Sequence, residues 1–226
     1  LQLISDTQKD KPMQLPEGWQ KLPASFYNRN DVVQIARELL NKILVSCFNG
    51  IFTAGRIVET EAYRGIVDKA SHAFGGRRTN RTEIMYGEGG KAYVYFCYGM
   101  HHLFNVVTNT ADVPHAVLIR ALEPMMGIEE MLLRTGKKKV DYTLTKGPGN
   151  VAKALGINVK HTACSLLGNA LFIADDGVVL QGENIIATPR IGVDYAGEDA
   201  LLPYRFYIQN NKYVSGKKKD NLGRNI

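Results

Sequence analysis

The dipeptide Asn49-Gly50 lies between two runs rich in aliphatic, aromatic and β-branched residues, 43–48 and 52–62. Asparagine followed by glycine takes up the two positive φ values of a tight hairpin turn at little cost, so the runs are read as antiparallel neighbours. That pairing commits this part of the chain to a sheet. The second run carries an anomaly, Ile57-Val-Glu-Thr-Glu-Ala-Tyr63. With alternating side chains, Ile57, Glu59, Glu61 and Tyr63 share one face, and Val58, Thr60 and Ala62 the other. Two carboxylates on one strand face repel, and burying either costs free energy unless something compensates. Alternation brings the acids together but does not choose between them.

Around this hairpin the pattern predicts a helix over 26–44, capped by Asn30 or Asp31 and carrying an apolar stripe at helical spacing. Strands are expected at 92–98, 103–108 and 116–121. Helices are expected at 126–134 and 150–155, the latter opened by Gly147-Pro148-Gly149. Residues 1–21, with Pro12, Pro16 and Gly18 among polar residues, read as a flexible arm. Residues 213–226 read as a basic tail, leaving one mixed α/β (α+β) domain over 22–212, with no repeat or linker to divide it. No apolar run approaches the roughly 20 residues that span a bilayer. The polar N-terminus lacks a signal-peptide core, so neither a membrane nor export is expected. Cys47, Cys97 and Cys164 are odd in number and widely spaced, which favours reduced thiols over a disulfide framework or a zinc site.

The formal charge of +6 and the isoelectric point near 9.1 favour a polyanionic partner. Arg77, Arg78 and Arg81 fall within one glycine-bearing loop, either simply solvated or placed for phosphate contact. On the strand 92–98, Tyr93, Tyr95 and Cys97 face one way. With Tyr63 nearby they form either amphipathic core or an aromatic slot for a flat heterocycle. Tyr98 and Met100, beside the turn at Gly99, have the character of a wedge that enters between base steps. Asp68 and His72 follow the acidic strand. His101-His102 lacks a third ligand nearby, so no metal is expected. Three functions suit these features: an enzyme acting on nucleic acid, a non-enzymatic binder of damaged nucleic acid, and a hydrolase of free nucleosides or glycosides.

The motifs taken jointly are more specific. Arg56-Ile-Val-Glu-Thr-Glu-Ala-Tyr63, Ser71-His72, Gly75-Gly-Arg-Arg-Thr-Asn-Arg81, Tyr93-Val-Tyr-Phe-Cys-Tyr-Gly-Met100 with Asn105, and Arg120-Ala-Leu-Glu-Pro124 follow in order. Gly147-Pro-Gly149, Pro189-Arg-Ile-Gly-Val193 and Pro203-Tyr-Arg-Phe206 come after them. Over roughly residues 25–210 the chain resembles the alkyladenine (3-methyladenine) DNA glycosylase family. The resemblance implies a single domain around a curved antiparallel sheet with flanking helices, and no cofactor. It implies excision of alkylated or deaminated purines from double-stranded DNA by a monomer, without strand cleavage because no catalytic lysine is matched. The compartment would be the cytoplasm, at the nucleoid, in a bacterium, or the nucleus in a eukaryote. Matched residue by residue, Glu61 activates water and Arg120 supports it. Tyr63, His72 and Tyr95 hold the flipped base, Asn105 disfavours the guanine amino group, and Tyr98 fills the vacated place. Glu59 is left as a structural partner, paired with an arginine. His101-His102 and Tyr204 depart from the family's usual residues.

Overall fold

A computed structural model describes residues 15–216. Among these residues the elements run β1 (Gln20–Lys21), α1 (Ala24–Tyr27), α2 (Val32–Glu38), β2 (Ile43–Phe48), β3 (Ile51–Tyr63), β4 (Lys91–Cys97), β5 (His101–Thr108), β6 (His115–Met126), α3 (Ile128–Thr135), α4 (Pro148–Leu155), β7 (Leu171–Asp175), β8 (Ile185–Thr188) and β9 (Arg205–Ile208). The strands make one curled antiparallel sheet in the order β1-β7-β2-β3-β6-β5-β4, with β9 joining β3 and β8 joining β9. The Asn49-Gly50 hairpin forms as expected: Phe48 pairs with Ile51, and the turn residues have φ of 53° and 76°. No helix among the described residues is long and apolar enough to cross a membrane.

Strand β3 is where the sheet forks. One edge pairs with β6 along most of its length, while the other pairs first with β2, over Ile51–Phe48 to Arg56–Ile43, and then with β9 at 59–61. Register slips against β6 between Ile57 and Glu59, at the point of handover. A bulge places successive residues out of alternation. Ile57 therefore joins Ala62 in the main core, and Val58 packs on the other side with Ala121 and Val214. This corrects the expected grouping of Ile57 with the acids; Glu59, Glu61 and Tyr63 do share a face.

The main core lies between the sheet and two helices. Val32, Ile35 and Ala36 of α2, and Val151, Ala154 and Leu155 of α4, pack on Phe104, Val106, Val117 and Ile119. The Thr60 hydroxyl donates to the Ala36 carbonyl (2.8 Å), which fixes α2 against β3. The helix expected over 26–44 is instead two short helices followed by a strand. Asp31 restarts the helix by accepting from the Gln34 amide (3.0 Å), and the left-handed Asn41 (φ 69°) ends it so that Ile43 and Leu44 enter the sheet. The helix expected from Met126 starts two residues later because β6 continues to Met126. Gly127 makes the corner at φ 70°, where a Cβ would lie 2.3 Å from the Phe52 carbonyl oxygen.

Residues at both ends of the described chain pack onto the sheet. Leu15 and Trp19 pack against the buried cluster of Ile43, Val45, Ala54, Phe172 and Ala174, and Gln20–Lys21 pairs with β7. Tyr213 and Val214 pack against Val58 and Ala121. The remainder of the arm and tail lies outside the described residues.

Candidate active site

Register across four strands assembles the site. Glu61 of β3 lies opposite Leu118 of β6, Leu118 opposite Asn105 of β5, and Asn105 opposite Tyr93 of β4. Neighbouring pairs are Tyr63 with Ala116 and Tyr95 with Leu103. Side chains directly opposite point to the same face, so the acids and the tyrosines meet on the side away from the main core. There they back a cavity of about 590 Å³ whose lining includes Tyr63, His72, Tyr93, Tyr95, Asn105 and Arg120. Ile191, Gly192 and Val193 close another wall. The size suits a small organic group.

Glu61 is fully buried, and its three partners all line the cavity. The Ile191 amide donates to Oε1 (2.8 Å), the Arg120 Nη1 lies 3.3 Å from the same oxygen, and the Tyr63 hydroxyl donates to Oε2 (2.9 Å). A carboxylate offers about four lone-pair sites, so about one remains for a further donor such as water. Glu59, equally buried, takes four donors. Its Oε1 accepts from Arg120 Nε (3.0 Å), Arg205 Nε (2.7 Å) and Ser215 Oγ (3.0 Å), and its Oε2 from the Ser215 amide (2.6 Å). Burial opposes the Arg120 charge, but the flanking Glu61 and Glu59 outweigh it and raise Arg120 above its ordinary value. Burial, then Glu61, pushes the Tyr63 hydroxyl well up, so it stays a donor. The expected pairing of Glu59 with an arginine is present twice over.

The loop that presents Ile191 is itself bolted down. Arg190 forms a buried two-pronged ion pair with Asp68 (2.5 and 2.8 Å), donates to the Ala62 carbonyl (2.9 Å), and lies 4.8 Å from the Tyr63 ring centre. On the opposite wall, His72 meets Tyr95 edge to face, with ring centres 4.7 Å apart. Burial, reinforced by Arg81 and Arg77, holds the His72 imidazole down at about 4, so it is neutral near pH 7. Its Nε2 accepts from Arg81 (3.3 Å), which leaves the proton on Nδ1 for the Tyr93 hydroxyl (2.9 Å). Asn105 is buried and donates to the Tyr93 carbonyl (3.2 Å).

The β4–β5 hairpin carries the rim. Tyr98, 83 % exposed at φ 53°, and the exposed Met100 stand at its tip. Arg77 and Arg78 are exposed on the basic loop, Arg78 paired with Glu83 (2.7 Å) and Asp112 (2.9 Å). Arg81 is turned towards the cavity, 4.9 Å over the Tyr95 ring. Thus Tyr63, His72, Arg81, Tyr95, Tyr98, Asn105 and Arg120 line one cavity; Glu61 lies behind that lining, bonded to its residues Tyr63, Arg120 and Ile191, and Met100, Arg77 and Arg78 also lie outside it. His101 packs against Gly149, and His102 against Phe96 (4.9 Å between ring centres). Among the described residues no group of three His, Cys, Asp or Glu is placed to hold a metal ion. Sequence reasoning missed the Ile191 amide, Arg205 and Ser215. The first two lie in motifs quoted above without a role; Ser215 lies in none.

A family model described as methylpurine-DNA glycosylase (MPG) matches residues 25–212. A protein of Bacillus cytotoxicus described as "Putative 3-methyladenine DNA glycosylase" is 46% identical over 203 residues, covering 86% of this chain and 99% of its own. A Clostridium perfringens protein of the same description is 43% identical over 205 residues, covering 87% and 100%, and one from Bacillus mycoides is 47% identical over 201 residues, covering 85% and 98%. The match runs through every strand that lines the cavity, and on this ground the chain belongs to the methylpurine-DNA glycosylase family and is a DNA-repair hydrolase.

Proposed function

We propose that the cavity receives an alkylated or deaminated purine of the 3-methyladenine, 7-methylguanine or hypoxanthine type, flipped out of double-stranded DNA. Glu61 then activates the water that hydrolyses the N-glycosidic bond, leaving an abasic site. The observation that carries this reading is the contrast between the two buried acids: Glu59 takes four donors, three of them from Arg205 and Ser215 away from the cavity lining, while Glu61 takes three, all from residues that line the cavity.

Extruding a nucleotide costs a few kcal/mol of stacking and pairing. Tyr98 and Met100 offset part of it by entering the place the base leaves. Arg77, Arg78 and Arg81 contact phosphates; Arg78 exchanges exposed ion pairs, which are weak, for a charge-assisted bond. The flipped base stacks among Tyr63, His72 and Tyr95, and Asn105 sets the amide group that disfavours a guanine amino group. Glu61, as the anion, takes the proton of water and favours the positive charge that develops on the sugar. Arg120 holds Glu61 in place and lies opposite its charge. The relatives are bacterial, which supports the cytoplasmic alternative for the compartment.

The test is Glu61→Gln, assayed by single-turnover release of hypoxanthine from a duplex with one lesion. Removing a general base costs at least about 100-fold; a near-native rate would overturn the assignment.

A further inference from the structure

The C-terminal segment 213–216 lies past the end of the family match at residue 212, yet it reaches the centre of the site. Val214 seats it against Val58 and Ala121, over the β3 bulge. Every polar group of Ser215 is then spent on one buried cluster. Its amide donates to Glu59 Oε2 (2.6 Å) and its hydroxyl to Glu59 Oε1 (3.0 Å). The hydroxyl oxygen accepts from Arg120 Nη2 (3.1 Å), and the carbonyl accepts from Arg205 Nη2 (2.6 Å).

The consequence falls on Arg120. Its guanidinium is planar and rigid. Nε is held by Glu59 and Nη2 by Ser215, so two of its three nitrogens are fixed and the third, Nη1, is carried to Glu61 Oε1. The next residue acts on the other donor to that oxygen. Gly216, at φ 61°, lies so close to Ile191 that a Cβ would come within 2.3 Å of its Cδ1, and the Ile191 amide is the second donor to Oε1. One segment therefore backs both donors to one carboxylate oxygen and leaves Oε2 facing Tyr63.

We propose that residues 213–216 form a strap that positions Glu61 for the reaction, with Ser215 as the positioning residue acting through Arg120. The inference rests on the reading of Glu61 as the general base. Ser215 touches no substrate; its effect is on the angle and tightness with which the base is held, where displacement by about 1 Å costs up to about 100-fold in rate.

The experiment separates chemistry from binding. Ser215→Ala is assayed for single-turnover hypoxanthine release at saturating enzyme, and for affinity to an abasic-site duplex by fluorescence anisotropy. The expected result is a rate lower by about 10- to 100-fold with unchanged affinity. Ser215→Thr keeps the hydroxyl and restores most of the rate, whereas Ser215→Val, of the same shape, stays slow. The threonine–valine pair carries the comparison even where alanine weakens the fold, because both add the same bulk. A native rate in Ser215→Ala, a valine variant as fast as threonine, or a rate loss matched by lost affinity overturns the strap. Glu61→Gln is run alongside: activity there defeats the reading of the base, whereas inactivity there with native rates in Ser215→Ala and Ser215→Val defeats the strap alone.

Discussion

Glu59 and Glu61 sit two residues apart, are equally buried and share one arginine, yet their surroundings give them different work. Glu59 joins two arginines and the Ser215 backbone, so removing its charge leaves buried cations without a partner. Glu59→Gln is expected to lower the unfolding free energy by about 3–5 kcal/mol, read from a urea titration. A loss confined to activity, with the midpoint unmoved, would mean that Glu59 takes part in the reaction itself. The shared face of the acids was legible, because alternation survives from Glu59 to Tyr63. The loss of Ile57 from that face was not, because the bulge answers to a change of neighbouring strand rather than to any residue in β3. Nor did any local pattern announce Ser215, a single serine whose partners Glu59 and Arg120 lie 156 and 95 positions away.

Two exposed hairpins each turn through two successive residues at positive φ, with different side chains. In the β2–β3 turn, Asn49 and Gly50 hold positive φ with residues suited to it. In the β4–β5 turn, Tyr98 holds φ 53° before Gly99 at 68°, and a tyrosine there is strained by roughly 1–2 kcal/mol. A costly residue kept at an exposed tip is a mark of use. Tyr98→Gly is therefore expected to leave the unfolding free energy unchanged or higher, while affinity for a hypoxanthine duplex falls more than affinity for undamaged DNA. Equal losses on both duplexes would remove the wedge role. Both hairpins could be read from the sequence because glycine marked their turns. The helix expected over 26–44 failed because an apolar stripe at helical spacing does not reveal that Ile43 and Leu44 continue as a strand; Asn41, tolerant of positive φ, was the available signal.

Over the whole molecule, charge is divided between a basic exterior and a balanced interior. The chain carries +6 overall, while Glu59, Glu61, Arg120 and Arg205 cancel in the buried site. Duplex affinity is therefore expected to fall steeply with added salt, but the single-turnover rate of the bound complex to stay nearly level. A rate that falls as steeply as affinity would place a mobile surface charge in the chemistry. Acid sensitivity follows from the histidines. Burial comes first in holding both His72 and His115 at about 4, below the ordinary 6.5. Between those values the unfolded chain binds protons that the folded one refuses, so stability is intact above about pH 6.5 and drains away as pH falls towards 4. Urea midpoints at pH 7 and pH 5 test this, and His115→Gln is expected to shrink the difference. The fold's outline and most cavity residues were legible because motif and strand alternation coincide there; the Ile191 amide was not, since a backbone donor has no residue type to betray it. The described chain continues past residue 212, and with it the buried quartet acquires its last ligand. The family model's match stops three residues short of Ser215, so a survey of variants confined to that match would never sample the serine that ties Glu59 to both arginines.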